Sequence, residues 1–190
     1  MGSPTFAKVR PSERQQAIDV IVSAFIDDPF VRNLYPDDAS YMLHFPGAVV
    51  AFGGLALDAG TVWRIGEFDG VAFWYPPDMS PDDAIIKHFR LTVSAERLDD
   101  IFSTFDQMDH AHPTYRHWYL PWFGVHASKQ GRGIGGDLLR RCLAVVDTDH
   151  LPAYLENTNP RNRSFYERHG FVLSGESQAG VAPPIFSMVR

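Results

Sequence analysis

The sequence contains, at residues 125–139, the stretch Val125-His126-Ala127-Ser128-Lys129-Gln130-Gly131-Arg132-Gly133-Ile134-Gly135-Gly136-Asp137-Leu138-Leu139, in which four glycines fall within six positions. Because glycine has no Cβ, such a backbone can adopt positive φ and let an anion approach its N–H groups closely. A helix that begins there adds its own unpaired N–H groups and the positive end of its dipole. The stretch therefore predicts a binding site for a phosphate-bearing ligand.

The segments on either side of the glycines support this prediction. Residues 117–125 are dense in aromatic and β-branched side chains, which is typical of a largely buried strand. Residues 133–147 have apolar side chains at helical spacing, which predicts an amphipathic helix. An isolated glycine cluster is often an ordinary turn, but a strand, a glycine turn and a helix in this order are the context of a phosphate-binding loop.

The composition indicates one domain that covers residues 1–190. Of these residues, 45% are hydrophobic and 13% aromatic, so the chain can bury a sizeable core, and no linker or repeat divides it. The net charge of −6 argues against nucleic-acid and anionic-membrane partners. We find no signal-peptide pattern and no apolar run of about 20 residues, and therefore expect a cytoplasmic protein. The single cysteine, Cys142, lies on the apolar helix face, which favours a core thiol over a nucleophile.

Hydrophobic periodicity and turn residues predict alternating strands and helices. The order β, α, α, β, β, α, β, α, β, α, β, β indicates a mixed α/β sheet flanked by helices. Ser12 and Gln15 suggest a capping box, and Pro46 and Gly53-Gly54 are expected to interrupt the second helix. The predicted strands cover residues 5–10, 61–66, 70–75, 117–125, 152–156, 171–176 and 184–190, and the predicted helices cover 12–27, 37–57, 82–109, 133–147 and a short segment that begins at Asn159-Pro160.

A dinucleotide-binding fold is the first alternative to consider. Gly131, Gly133 and Gly136 satisfy the pattern G-x-G-x-x-G, and Glu156 follows at the distance expected of a ribose-binding carboxylate. The topology argues against this fold, because several residues separate the strand from the glycines and few residues follow Glu156. A Walker A loop is excluded, since no Gly-Lys-Ser/Thr follows the glycines.

The segment Gln130-Gly131-Arg132-Gly133-Ile134-Gly135 resembles the Gln/Arg-x-x-Gly-x-Gly/Ala signature of the GNAT acyltransferase superfamily. The resemblance continues through residues 155–162 and 165–171, which are similar to the distal motif of that superfamily. Residues 117–171 as a whole are similar to the branch that includes puromycin N-acetyltransferase. Residue 127 is alanine where many members have proline, and residues 1–110 match in element order only.

The resemblance implies a fold and a cosubstrate. It implies an α/β (α+β) GNAT-like fold with a mixed, mostly antiparallel sheet of about seven strands, splayed between the strands at 117–125 and 152–156. Residues 111–190 would bind acetyl-CoA, with its pyrophosphate on the glycine loop and its pantetheine arm along the strand at 117–125. Residues 1–110 would bind the acceptor. No metal would be needed. The implied coenzyme A-binding residues are Phe123, Gly124, Val125, Gln130, Gly131, Arg132, Gly133, Ile134, Gly135, Gly136, Asn157, Asn162 and Tyr166.

Pro121 supports the splay on separate grounds. A proline inside a strand removes a ladder hydrogen bond and belongs at a bulge or an edge. A bulge at Pro121 would separate this strand from the one at 152–156 and open a cleft for the thioester. The alternative is an edge proline covered by solvent.

Acyl transfer to an amine requires a neutral nitrogen nucleophile, a stabilised oxyanion and a proton for the departing thiolate. Tyr166 occupies the position that the resemblance implies for the acid, and its structural alternative is a buried partner of Phe171. Glu156 is the candidate base, and its alternative is an ion pair with Arg161 or Arg163.

The histidines give weaker signals. His126 is expected to be a solvated or capping residue beside the loop, and His110, His112 and His117 lack the spacing of a convincing metal site. No Gly-x-Ser-x-Gly elbow is present, which argues against a serine hydrolase.

The sequence therefore predicts an acetyl-CoA-dependent N-acetyltransferase that acts on a primary amine of a small molecule by direct transfer within a ternary complex. Two alternatives stay open: a non-catalytic acyl-CoA-binding regulatory module, and an acetyltransferase of peptides or proteins. A homodimer is also left open. An acceptor with an apolar part is suggested by the aromatic residues Phe30, Tyr35, Trp63, Trp74, Tyr75 and Trp118.

Overall fold

The computed structural model describes residues 4–81 and 83–190, which form seven strands and seven α-helices. The strands are β1 (Phe6–Lys8), β2 (Val62–Ile65), β3 (Gly70–Tyr75), β4 (Trp118–Val125), β5 (Ala153–Asn157), β6 (Val172–Ser177) and β7 (Ile185–Val189). The helices are α1 (Arg14–Ala24), α2 (Pro29–Leu34), α3 (Asp38–Asp58), α4 (Ala84–Thr92), α5 (Ala95–Ala111), α6 (Ile134–Val146) and α7 (Arg163–Glu167). All seven predicted strands are confirmed.

The strands form one sheet in the order β1-β2-β3-β4-β5-β7-β6. Within this sheet β4 and β5 run parallel, and the other neighbouring strands pair antiparallel. The predicted mixed, mostly antiparallel sheet is confirmed, and the parallel sheet of a dinucleotide-binding fold is excluded. Side chains of α1–α5 cover one face and those of α6 and α7 cover the other, so that Phe73 and Trp74 of β3 lie in different cores.

The sheet splits between its central strands, β4 and β5. Their parallel pairing covers only residues 118–120 and 153–155. Beyond these residues β4 pairs with β3 alone and β5 pairs with β7 alone. The predicted splay is therefore present, and it leaves a gap that we call the central gap.

A bulge in β4 accompanies the split. The register between β3 and β4 shifts so that two residues, Leu120 and Pro121, lie opposite Trp74. The extra residue reverses the direction of the side chains that follow it. Leu120 consequently lies in the core beneath α6, whereas Trp122 lies in the core beneath α1 and α3. Of the two interpretations of Pro121, the bulge is confirmed.

Helix α3 is more regular than the sequence suggested. It continues through Pro46 and Gly53-Gly54, so the predicted interruption is wrong. Gly53 serves a packing role, because a Cβ there would overlap the ring of Trp122. Among the described residues, α3 is also the one helix long and apolar enough to cross a membrane, which corrects the expectation that no such run exists. In this structure α3 packs against α1, α4 and the sheet, while Met42, Leu43 and Val50 remain exposed.

Two helix starts differ from the prediction. Asp28-Pro29, which follows the predicted helix over 12–27, begins the separate helix α2, because the Asp28 carboxylate accepts the N–H groups of Phe30 and Val31. The capping box at Ser12 is wrong, since Ser12 lies inside a 3-10 turn. The helix predicted over 82–109 is two helices, because residues 93 and 94 are extended, and its first residue, 82, lies outside the described residues.

Candidate active site

A cavity of about 710 Å³ reaches from the glycine loop through the central gap to helices α2, α4 and α5. Both candidate catalytic residues, Tyr166 and Glu156, line it. Tyr166 belongs to the core beneath α6, whereas the hydrogen-bond partners of Glu156, Tyr119 and Tyr154, belong to the core of the opposite face. The cavity therefore joins the two faces of the sheet at the point where β4 and β5 separate.

The glycine loop presents a series of unpaired backbone donors. In the described part of the chain, the N–H groups of residues 131–136 have no protein acceptor. Gly131 and Gly133 have φ of +73° and +79°, a conformation that favours glycine. Gln130 was included among the predicted ligands, but its N–H already donates within the preceding 3-10 turn. Its side chain donates to the carbonyl of Val125 over 3.0 Å. The free series thus begins at Gly131, and Gln130 fixes the loop to the end of β4.

Other groups at this end of the cavity also fit coenzyme A. Lys129, Arg161 and Arg168 line it, and the sequence reasoning had not selected these cations as ligands. Asn157 is buried, and its Nδ2 has no acceptor among the described residues. Since buried amide donors are normally paired, this one is available to a ligand carbonyl, such as those of pantetheine.

The remaining predicted ligands divide into two groups. Phe123, Gly124 and Val125 line the cavity beyond the end of the β4–β5 pairing, and Asn162 lines it one turn before Tyr166. Arg132 does not line the cavity, so the structure offers its backbone N–H rather than its side chain.

Tyr166 has a packed ring and a hydroxyl without a protein partner. Its ring centroid lies 6.4 Å from that of Phe123, 5.1 Å from Phe165 and 6.0 Å from Phe171. No described residue hydrogen-bonds to the hydroxyl. Burial, and to a lesser extent the charge of Asp28, raise the pKa of Tyr166, so the phenol keeps its proton at neutral pH. Tyr166 therefore packs against Phe171 and also lines the cavity, so the packing role and the acid role are compatible.

Glu156 lies in a hydrogen-bonded network. Its carboxylate accepts the hydroxyl of Tyr119 and, over 3.0 Å, that of Tyr154. The Nδ1 atom of His112 lies 3.4 Å from Oε1 of Glu156. The side chain of Glu156 is only 7% exposed, so its solvation comes mainly from these groups.

The other ionisable predictions are decided by their contacts. The ion pair of Glu156 with Arg161 or Arg163 is wrong, because Arg163 instead pairs with Glu167 at 2.8 Å and neither arginine contacts Glu156. His126 is a capping residue as expected, since its Nδ1 accepts a backbone N–H of the 3-10 turn over 3.3 Å.

The acceptor side of the cavity is an apolar chamber. The rings of Phe30 and Phe105 stack there with centroids 6.2 Å apart. Of the six aromatic residues proposed from the sequence, only Phe30 lines the cavity, and the other five are core residues. The chamber is formed by Phe30, Leu34, Ile85, Phe89, Phe105 and Met108.

Two carboxylates, Asp27 and Asp28, line the cavity beside the chamber. Asp28 is buried, and it accepts the hydroxyl of Thr158 over 2.7 Å, which connects α2 to the end of β5. Burial raises the pKa of Asp28, against the opposing effect of its hydrogen bonds from Thr158 and the α2 backbone. Asp27 is exposed and has no cationic partner among the described residues. This side of the cavity therefore has carboxylates, whereas the loop side has cations and free N–H groups.

Comparisons with known proteins agree with this geometry. A family model described as "Acetyltransferase (GNAT) domain" matches residues 92–173. An uncharacterized N-acetyltransferase from Schizosaccharomyces pombe is 26% identical and aligns with 87% of this chain and 73% of its own length. A crystal structure described as histone acetyltransferase HPA2 and related acetyltransferase, from Corynebacterium glutamicum, is 27% identical, covers 99% of this chain and 96% of its own, and has a TM-score of 0.67. An agmatine N-acetyltransferase shares the fold at 12% identity, with a TM-score of 0.68 and coverage of 100% and 99%.

The split sheet, the glycine loop and these matches define an acyltransferase fold. Residues 92–173 match the GNAT acetyltransferase domain, and the chain is similar over most of its length to acetyltransferases, which supports an acetyltransferase enzyme. Enzymes of this fold use acetyl-CoA. The similarity to the branch of puromycin N-acetyltransferase stays a prediction.

Proposed function

We propose that the protein transfers an acetyl group from acetyl-CoA to a primary amine of a small molecule that has an apolar part, by direct transfer within a ternary complex. The observation that carries this proposal is the single cavity that contacts the glycine loop, Tyr166, Glu156 and the apolar chamber. Two ligands entering from opposite faces of the sheet would meet in the central gap. Their reacting atoms would be held together, which removes much of the entropic cost of a bimolecular reaction.

The distribution of charge supports these two positions. Free N–H groups and cations at the loop complement phosphates. Asp27, Asp28 and Glu156 on the other side of the cavity complement an ammonium group, and the chamber walls complement a hydrophobic substituent. An amine with an aromatic or branched apolar group satisfies both features.

The chemistry divides between two side chains. Acetyl-CoA supplies an activated acetyl thioester. Glu156 removes a proton from the acceptor ammonium, which generates the neutral nucleophile, and Tyr166 donates its proton to the departing sulfur. Burial keeps the hydroxyl of Tyr166 protonated and therefore ready to donate.

Direct transfer is supported by the position of the only cysteine. Cys142 is fully buried on the core-facing side of α6, and burial raises its pKa to about 12, so it is a poor nucleophile for an acyl-enzyme. We expect double-reciprocal plots of initial rate against either substrate to intersect. Parallel lines would contradict direct transfer.

The test is a thiol-release assay with acetyl-CoA and a panel of arylalkylamines, alkylamines, aminonucleosides, polyamines and peptides. We expect release with apolar amines, and a fall in kcat of about 100-fold for Glu156→Gln at neutral pH. The matched control is Glu67→Gln, because Glu67 is exposed and lies outside the cavity. Preference for peptides would favour the protein-acetylating alternative. Binding of coenzyme A without release by any amine would favour the regulatory module.

A further inference from the structure

Two histidines form a chain that leads away from Glu156. His112 follows α5 and His117 precedes β4, and neither lines the cavity. Nδ1 of His112 lies 3.4 Å from Oε1 of Glu156, and its Nε2 lies 3.0 Å from Nε2 of His117. Nδ1 of His117 lies 2.7 Å from the carbonyl oxygen of Tyr115. Four groups thus connect in sequence from the cavity toward the surface, where Tyr115 is 52% exposed.

The fixed end of this chain determines the tautomers of both rings. A carbonyl oxygen can only accept, so Nδ1 of His117 carries a hydrogen and, in the neutral ring, Nε2 is an acceptor. Its partner, Nε2 of His112, must then carry a hydrogen. Neutral His112 is left with a lone pair on Nδ1, which faces the carboxyl group of Glu156.

The other partners of Glu156 cannot receive a proton. Tyr119 and Tyr154 donate their hydroxyls to its carboxylate, and burial, followed by the charge of Glu156, raises the pKa of both phenols. Tyr154 also contacts Ser187, whose hydroxyl is not a base at neutral pH. His112 is therefore the basic group in contact with the Glu156 carboxyl.

Neighbouring aromatic rings hold His112 and His117 in place. The ring of His112 lies 4.6 Å from Tyr154, 5.1 Å from Tyr119 and 4.9 Å from His117 between centroids. Burial lowers the pKa of His117, which favours the neutral ring as acceptor. The His112 side chain retains 25% exposure, so its protons exchange with water.

We propose that His112 and His117 are positioning residues that form the route by which the proton removed from the acceptor amine leaves Glu156 for solvent. The proposal rests on the proposed function. An N–H bond of the ammonium breaks as an O–H bond forms on Glu156. The carboxyl proton then moves to Nδ1 of His112, the Nε2 proton of His112 moves to Nε2 of His117, and the Nδ1 proton of His117 passes to water. One proton enters and one leaves, and exchange with water restores the starting tautomers.

The kinetic test is His117→Ala with imidazole added in solution. We expect kcat to fall about tenfold or more at neutral pH, with little change in the KM for either substrate. The loss should shrink above the pKa of the free amine, because a neutral acceptor has no proton to remove, and imidazole should restore the rate. A loss that is independent of pH and not restored by imidazole would overturn the proposal.

The control is His110→Ala. His110 is exposed on the last turn of α5, where it contacts Asp106 and has no contact with Glu156 or His117 among the described residues, so the variant should keep wild-type kinetics and should not respond to imidazole. If imidazole accelerated this variant as well, the rescue of His117→Ala would be nonspecific and the relay would be rejected.

A measurement without turnover separates this proposal from the proposed function. In protein labelled with ¹⁵N-histidine, we expect NMR to find the hydrogen of neutral His117 on Nδ1 and that of neutral His112 on Nε2. The reverse tautomers would overturn the relay even in an active enzyme. Absence of thiol release with these tautomers present would instead reject the proposed function and the relay that depends on it.

Discussion

At the scale of single residues, the role of the Tyr166 hydroxyl can be tested directly, because the structure shows no other function for this group. Its ring is packed on three sides, yet the hydroxyl has no partner among the described residues. We expect Tyr166→Phe to lower kcat about 100-fold through loss of the acid, while the free energy of unfolding changes by less than about 0.5 kcal/mol. Steady-state kinetics and urea denaturation measure the two quantities.

Tyr41→Phe provides the matched control. The hydroxyl of Tyr41 donates to the carbonyl of Val22 over 2.6 Å in the core, and the residue does not line the cavity. This variant should lose about 1 kcal/mol of stability and keep its kcat. If both variants lost stability and neither lost activity, the acid role of Tyr166 would be rejected.

The charge state of Asp28 has a consequence for stability. Its pKa is raised in the folded protein, mainly by burial, so the folded state binds its proton more tightly than the unfolded state does. The resulting stabilisation is present below the unfolded pKa of about 3.9 and is lost as pH rises through the folded pKa. We therefore expect Asp28→Asn to become more stable relative to wild type as pH rises from 4 to 7, measured by urea denaturation.

Asp37 offers a control of opposite sign. It caps α3, and hydrogen bonds from Ser40 lower its pKa, so its contribution is present above the unfolded pKa and is lost as pH falls. Asp37→Asn should accordingly become less stable relative to wild type as pH rises. The same slope in both variants would contradict the assignment for Asp28.

At the scale of elements, the glycine loop requires glycine for its positive φ and not because a side chain would clash. A Cβ on Gly133 would meet nothing within 4 Å, but φ is +79°, which costs another residue about 1–2 kcal/mol. We expect Gly133→Ala to relax the loop, so that its N–H groups no longer converge. The Kd for coenzyme A, measured by calorimetry, should rise about tenfold.

Gly60 is a suitable control for this substitution. It has φ of +66°, nothing within 4 Å of its Cβ position, and a location in the turn after α3. Gly60→Ala should therefore lose comparable stability and bind coenzyme A normally. Equal losses of affinity in the two variants would indicate general destabilisation instead of a phosphate cradle.

Local sequence signals predicted the strand and helix around the glycine loop, but they failed where tertiary packing determines whether a helix continues. The glycine loop, the bulge at Pro121 and the short helical segment that begins at Asn159-Pro160 follow from the backbone preferences of the residues themselves. The continuity of α3 through Pro46 depends on its packed surroundings, which no local rule contains. The start of α2 was readable from Asp28-Pro29, a capping residue followed by proline at the first helical position, and was missed.

At the scale of the whole molecule, the resemblance predicted one half of the cavity better than the other. Tyr166, Glu156 and most of the proposed ligands line the same cavity. The contacts of Glu156 with His112 and Tyr119 join residues 44 and 37 positions apart, so they depend on the tertiary fold and not on local spacing. The apolar chamber likewise combines α2, α4 and α5, and composition selected only Phe30 among its residues.

Ligand binding at the central gap should stabilise the entire domain. Coenzyme A at 100 times its Kd adds about 2.7 kcal/mol to the free energy of unfolding if it binds only the folded state. For a domain of this size, we expect the Tm to rise by about 5–10 °C, measured by thermal unfolding at increasing coenzyme A. Gly60→Ala should retain this shift and Gly133→Ala should reduce it. An unchanged Tm at saturation would contradict a site within the folded sheet.

The separation of β4 from β5 also gives this sheet two inner edges in addition to its two outer ones. Unpaired strand edges are where foreign strands add and where chains begin to aggregate. A cosubstrate that occupies the inner edges would act as a missing strand. Bound coenzyme A should therefore protect the purified enzyme from aggregation, which light scattering with and without coenzyme A would measure.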